Sequence, residues 1–387
     1  MLCDSPHYTP PFNVCALAKD LALLPAWYAE EGDYVLIDGP EHQPFSEWLP
    51  PEIQLRAVPV TRKELSCKQS SLTHMEAAPW GVSPQSIRLF EELKQAHELD
   101  LYIPVWKDEY AALTSRRTAT ACLIRMQQML PDIDLPRPPV FFSQIEELEA
   151  YMHQHQAPFV LKAPYSSSGR GLIWLTGSPL NNSERNRIRG LLRRQNVVSL
   201  EYALNKVADF ALEFYSDGKG NLCEKGISMF STNSRGAYTG NRLQSQSAIR
   251  KEFIKYTGEH MSNVIQQSLA SVLCDTFGSK YAGYLGVDML VYKGSEGFGI
   301  HPCVEINLRY TMGMVAIRLF ERFLAPGATG IFNISYENNP RNVYDQHLHM
   351  KKTCPPSFVN GRLQKGYLSL CPVTHETRYT ACIIAGT

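Results

Sequence analysis

Two apolar runs, Phe159–Lys162 and Leu172–Leu175, flank a turn made of Ser166, Ser167, Ser168, Gly169, Arg170 and Gly171, and this stretch constrains the fold more than any other. The runs have strand character, and a lysine closes the first. A turn of small residues lets backbone N–H groups crowd around an anion, while an amine at its edge supplies the counter-charge. The segment therefore reads as a strand–loop–strand phosphate holder, with a plain hairpin as the bland alternative. It is not a Walker loop, because no Lys-Ser or Lys-Thr pair follows the second glycine and a strand rather than a helix comes next.

Far downstream, residues 283–292 and 301–309 read as two more strands around a glycine-containing turn. Glu305 and Asn307 stand two apart and so share a face. If the chain folds back symmetrically about Glu296 and Gly297, Asp288 lies opposite Glu305 and Gly286 opposite Asn307. Two carboxylates facing each other on one sheet repel unless something positive sits between them. Asp, Glu and an Asn carbonyl are hard oxygen ligands that suit Mg2+, which completes its shell with water and phosphate oxygens. Asp288, Glu305 and Asn307 are the candidate metal ligands, and a solvated hairpin face is the alternative for either strand alone.

Lys162 with the Ser-Ser-Ser-Gly-Arg-Gly loop, then Gly286-Val-Asp288, then Glu305-Ile-Asn307-Leu-Arg309, in that order and separation, resemble the ATP-grasp superfamily over residues 116–320. The resemblance implies two α+β subdomains that sandwich ATP, with Mg2+ bridging its phosphates. It further implies phosphorylation of a carboxylate and capture of the acyl phosphate by an amine. By similarity, Lys162 contacts the nucleotide beside the loop residues Ser167, Ser168, Gly169 and Gly171. Asp288, Glu305 and Asn307 hold magnesium, and Arg309 faces phosphate or acyl phosphate. Lys162 and Arg309 are thus the catalytic cations. The family's adenine meets main-chain groups at a hinge, which puts Glu201, Tyr202 and Ala203 beside the base, and Asp209 near the ribose hydroxyls.

Length and charge agree with a multidomain enzyme. A chain of 387 residues suits two or three domains. Its 38 basic and 38 acidic residues cancel, so no global field favours nucleic acid or an anionic membrane. Ten cysteines are scattered without a CxxC pair, and the start Met1-Leu-Cys-Asp-Ser-Pro lacks a basic, then apolar, leader. Reduced thiols in the cytoplasm are the simpler expectation. No run is long and apolar enough to cross a bilayer. The expected partners are a small-molecule carboxylate and an amine, without nucleic acid or membrane, and a homo-oligomer is compatible with the sequence.

Taken in order, residues 1–105 read as an α/β segment resembling the Rossmann-like domain that precedes ATP-grasp modules. A helical pattern spans 14–29, strands lie near 33–38 and 53–60, Ser83-Pro84 starts a helix to about 98, and a short strand follows at 101. It has no dinucleotide fingerprint. Residues 106–180 form the first ATP-grasp subdomain. There Ser115 starts a helix whose first residues, Arg116 and Arg117, oppose the helix dipole unless an anion docks. The family often has a lysine in this place, and either arginine is a candidate for phosphate. Residues 181–337 form the second subdomain, with a basic helix at 185–194, a hairpin around Asp217–Gly220, and helices at 259–277 and 314–323. Its segment 230–246, poor in apolar residues and carrying Arg235 and Arg242, reads as a mobile loop. Arg318 is a candidate substrate contact, with a surface ion pair as the alternative. Residues 338–387 form a C-terminal β-hairpin extension, in which His347 and His349 alternate as in a strand.

The expected fold class is therefore α/β and α+β, an ATP-grasp fold after a Rossmann-like domain. The expected activity is an ADP-forming carboxylate–amine ligase that uses ATP and Mg2+. A small-molecule phosphotransferase on the same fold and a non-catalytic nucleotide-binding protein are the alternatives.

Overall fold

The computed structural model describes residues 11–37, 45–67, 74–155, 157–165, 171–234, 236–295 and 297–386. Contacts divide the chain into two units: Lys107–Tyr238 with Ile249–Thr311, and Leu2–Trp106 with Thr239–Ala248 and Met312–Thr387.

In the first unit a four-stranded antiparallel sheet runs in the order Val140–Phe142, Val198–Tyr202, Phe159–Lys162, Leu172–Leu175. Alternation sends Phe159, Leu161, Ile173, Leu175, Val198 and Leu200 to one face. There they pack with Leu148 and Met152 of helix Ile145–His155 and Ile188 and Leu191 of helix Asn182–Gln195. Each such aliphatic burial is worth about 1.5–3 kcal/mol. The second helix begins at an Asn181–Glu184 capping box and ends at Asn196 in the left-handed region, so its many arginines need not hold it together. The opposite sheet face carries Val160, Lys162, Ser199 and Glu201.

A second antiparallel sheet in this unit runs Phe298–Asn307, Ala282–Lys293, Lys206–Asp217, Leu222–Thr232. Phe210, Leu212 and Phe214 stand opposite Met289, Val287 and Leu285, and all six are fully or almost fully buried. Phe210 meets Phe253 edge to face at 5.1 Å. Helix Glu259–Phe277 packs on this sheet and on helix Arg116–Met129. The other face holds Asp209, Ala211, Glu213, Gly286 and Asp288.

The second unit has two parallel pairs, Tyr34–Ile37 with Val58–Thr61 and Met75–Glu76 with Leu101–Tyr102. Helix Pro84–Ala96, started by a Ser83–Ser86 capping box, lies in sequence between the last two strands. The helical pattern expected over 14–29 is interrupted. An α-helix covers Phe12–Asp20, and a 3-10 turn follows at Leu24–Trp27 with Pro25 in its first positions, where proline removes an N–H from any continuing helix.

Two readings are corrected here. Segment 230–246 is largely ordered strand: Leu222–Thr232 continues into it, and Tyr238–Leu243 pairs with Gly330–Tyr336. Gly240 permits this pairing, since a Cβ there would come within 2.2 Å of the Phe332 carbonyl oxygen. His347 and His349 lie on helix Pro340–Thr353, not on a strand, with His347 Nδ1 2.9 Å from the Tyr367 hydroxyl. Gly330–Tyr336 also pairs with Tyr379–Ala385, which pairs with Arg362–Ser369, so residues on both sides of position 337 share one sheet. Trp27 Nε1 donates to the Leu370 carbonyl at 2.6 Å, tying the chain's end to its beginning. Arg318 pairs with Glu321 one helical turn away. Among the described residues no helix is long and apolar enough to cross a membrane.

Candidate functional site

Lys162 closes its strand on the face opposite the helices. Glu201 stands across from Val160, one pleat from Lys162 on the same face, and the two side chains form an ion pair that leaves them 12% and 13% exposed. Ser199 Oγ donates to the Lys162 carbonyl at 3.2 Å. Helix Arg116–Met129 starts alongside, with Ser115 accepting from the Arg117 N–H at 3.3 Å. Arg116 is buried and stitches the two sheets together: Nε donates to the Ala163 carbonyl at 3.0 Å, and a terminal nitrogen donates to Glu305 Oε2 at 2.9 Å. Burial, and then the Arg116 guanidinium, pull Lys162 down to about 7, against the opposing pull of Glu305 and Asp288. The lysine strand and the carboxylate hairpin therefore lie within electrostatic reach of each other. A narrow cleft between them is lined by Arg116, Lys162, Ser199, Glu201, His301 and Cys303.

On the hairpin, Asp288 is opposite Glu305 and Gly286 opposite Asn307. Nearer the turn a bulge shifts the register, so that Leu290 faces His301, and Pro302 falls within that irregular stretch of an edge strand, where a missing N–H is tolerated. Asn307 joins the row: its amide donates to Asp288 Oδ2 at 3.4 Å, and its Oδ1 accepts from Arg309 at 2.9 Å. Burial, then Glu305 and Glu213, push Asp288 well above the usual carboxylate range, with Arg309 pulling the other way. Glu213, on the next strand, is 1% exposed. It accepts from Thr311 Oγ1 at 2.7 Å and from Ser228 Oγ at 3.2 Å, and burial raises it to about 7 despite those donors. Glu305 has Arg116 as a cationic partner, whereas the groups hydrogen-bonded to Asp288 and Glu213 are an amide and hydroxyls. Arg309, held on Asn307, pulls on both from beyond hydrogen-bond contact. Among the described residues no three His, Cys, Asp or Glu side chains cluster closely enough to hold a metal by themselves.

Two solved structures have the same fold over nearly the whole chain. Biotin carboxylase from Campylobacter jejuni, solved as a β,γ-ATP complex, superposes with a TM-score of 0.54 at 12% identity, covering 95% of this chain and 85% of that one. An N5-carboxyaminoimidazole ribonucleotide synthetase in complex with ADP gives 0.51 at 12% identity, covering 96% and 90%. The chain has the ATP-grasp fold. No family model and no curated protein sequence matches it.

Within this fold, Arg116, Lys162, Glu201, Asp288, Glu305, Asn307 and Arg309 all belong to the first unit. Ser167, Ser168, Gly169 and Arg235 lie outside the described residues. Gly171, at φ 83°, leads into the Leu172–Leu175 strand, and its carbonyl accepts from the Ala163 N–H at 3.3 Å. Arg117 is exposed and lies over the Phe141 ring at 4.4 Å, so the two arginines part company, with Arg116 the one on the cleft. Tyr202 packs on Phe159 at 5.1 Å and accepts from Arg137 at 3.3 Å. The Ala203 N–H already donates to the Pro158 carbonyl at 2.9 Å, and the Glu201 carboxylate is engaged by Lys162. Asp209 accepts from Lys206 at 2.6 Å and Thr232 at 3.2 Å.

Glu213 and His301 were not singled out by the sequence reading. Glu213 had a signal, a carboxylate in register with Asp209 within the otherwise apolar run Phe210–Tyr215. His301, almost fully buried, is held neutral near about 3 by burial and by Lys162, and its Nδ1 accepts from the Cys303 N–H at 3.4 Å. A lone histidine in the Phe298–Asn307 strand carries no comparable signal.

Proposed function

We propose that this chain is an ATP-dependent ligase that activates a small-molecule carboxylate as an acyl phosphate and joins it to an amine, with a divalent cation required. The observation that carries the reading is the meeting of Lys162 with the Asp288–Glu305–Asn307 row in one unit, bridged by Arg116. The two solved relatives hold β,γ-ATP and ADP, and we take the nucleotide over to this chain. Burial and the facing carboxyls, which disfavour a bare charge on Asp288, suit a hard cation that Asp288, Glu305 and the Asn307 carbonyl would hold. Such an ion, when bound, supplies charge neutralisation at the transferred phosphoryl group.

The chain's own groups do the rest. Lys162 holds phosphate oxygens, releasing Glu201, and Arg309 steadies the acyl phosphate formed when the substrate carboxylate attacks the terminal phosphorus of ATP and ADP leaves. The amine then attacks the acyl carbon, inorganic phosphate departs, and the amine's proton passes to solvent. Residues 1–105, with their two parallel strand pairs, serve in this reading as a Rossmann-like domain that receives the acceptor. ADP release is expected with Mg2+ and a carboxylate pool, and none with the cation chelated. Hydroxylamine should intercept the intermediate as a hydroxamate. A stable phosphorylated product without hydroxamate would instead make the chain a phosphotransferase.

A further inference from the structure

Gly286 occupies the centre of a row of three residues across three strands, with Glu213 on one side and Asn307 on the other. A Cβ on Gly286 would lie 2.6 Å from Glu213 Oε2 and 2.7 Å from Thr311 Cγ2, so both side chains have folded into the space the glycine leaves. There Thr311 Oγ1 donates to Glu213 Oε2 at 2.7 Å, and Ser228 Oγ holds the other oxygen at 3.2 Å. All three groups are buried: Glu213 and Ser228 are 1% exposed and Thr311 is 7% exposed. Thr311 is two residues past Arg309, in the connection that leaves the Phe298–Asn307 strand, and Arg309 is itself anchored on Asn307. The connection is therefore bolted to the sheet at both ends, by Asn307 at Arg309 and by Glu213 at Thr311.

We propose that Glu213 is a positioning residue: through Thr311, over the bare Gly286, it fixes the segment that presents Arg309 to the reacting phosphoryl group. A buried carboxylate is a costly way to make a structural contact, since its desolvation must be offset by donors that are themselves aimed correctly. Two hydroxyls aimed at its two oxygens from different elements fit a device that sets geometry. The consequence is specific. Glu213 acts on the chemical step through Arg309 and leaves nucleotide capture at Lys162 alone.

This inference rests on the ligase reading above, and its test separates the two. Rates of ADP formation at saturating MgATP, KM for MgATP and melting temperature would be measured for wild type, Glu213→Gln, Glu213→Ala, Thr311→Val and Arg309→Ala, and for the double variant Glu213→Ala/Arg309→Ala. We expect Glu213→Ala and Thr311→Val each to lower kcat by about tenfold, as a displaced reacting group does, with KM for MgATP within about twofold of wild type. Glu213→Gln keeps an acceptor and the same shape, and should recover most of the rate even if Glu213→Ala folds poorly. In the Arg309→Ala background Glu213→Ala should cost less than about twofold, because the two residues act as one unit. An equal loss in both backgrounds, a KM that rises in step with the fall in kcat, or a Thr311→Val enzyme with unchanged kcat would overturn the proposal. A wild-type chain that binds no nucleotide would sink the ligase reading itself.

Discussion

The two halves of the site solve the problem of buried charge in opposite ways. On the four-stranded sheet, Lys162 has a dedicated counter-ion in Glu201. On the hairpin, Asp288 faces Glu305 directly and feels Glu213 as well; Arg116 pairs with Glu305 and Arg309 holds Asn307, while the hydrogen bonds to Asp288 and Glu213 come from an amide and hydroxyls. One half carries its own ion pair, and the other leaves two buried carboxyls with neutral hydrogen-bond donors. A buried carboxylate row without enough cations either stays protonated or takes up a positive ligand, and hard oxygens favour a divalent ion. On the proposed ligase reading the halves have different tasks: the paired lysine exchanges one anion for another, and the hairpin takes up the cation.

The comparison breaks most sharply at the hairpin. Glu305→Gln removes the negative charge proposed to meet the cation and that pairs with Arg116, and is expected to lower Mg2+-dependent ADP formation by about a hundredfold or more, while a coupled assay at raised Mg2+ checks for partial recovery. Lys162→Met should weaken nucleotide binding by roughly one to two orders of magnitude with or without the cation, as seen by calorimetry, because a charge-assisted contact is lost and Glu201 is left buried alone. Gly286→Ala should destabilise the fold by about 1–3 kcal/mol in urea, since the new methyl meets Glu213 and Thr311 at 2.6 and 2.7 Å.

Glu213 adds a dependence on pH. Its carboxyl is raised in the fold from 4.5 to about 7, so the protonated form is the one the fold favours. Its contribution is present in full below pH 4.5 and is lost as pH rises through about 7. The stability of wild type relative to Glu213→Gln should therefore fall across that window and level off above it, in urea titrations at a series of pH values. The smallest effect belongs to Arg117, exposed on Phe141, where Arg117→Ala should leave nucleotide affinity within about twofold of wild type.

What was legible in the sequence follows the same division. Period-2 alternation was legible around the site, and the expected pairs, Asp288 with Glu305 and Gly286 with Asn307, are the observed ones. The bulge was not legible: beside the turn Lys293 pairs with Phe298, a register that continued unbroken would set Asp288 opposite Cys303, and the irregularity between Asp288 and Leu290 shifts it to the expected pairs. Helix Glu259–Phe277 has the bounds expected from the sequence. Segment 230–246 was misread because Tyr238–Leu243 is rich in small polar residues, and its strand character comes from a partner about ninety residues downstream, a tertiary effect that local composition does not report. The ion pair between Glu201 and Lys162 was hidden for the same reason. It depends on which strands are neighbours, and the order 140–142, 198–202, 159–162 departs from chain order.

Nucleotide affinity measured with and without Mg2+, for wild type, Lys162→Met and Glu305→Gln, tests the joint site most directly. The account predicts that Lys162→Met loses affinity in both conditions, and that Glu305→Gln loses only the gain that Mg2+ brings to wild type. If Glu305→Gln keeps the full Mg2+ gain, or Lys162→Met binds as wild type does, the two halves do not grip one ligand.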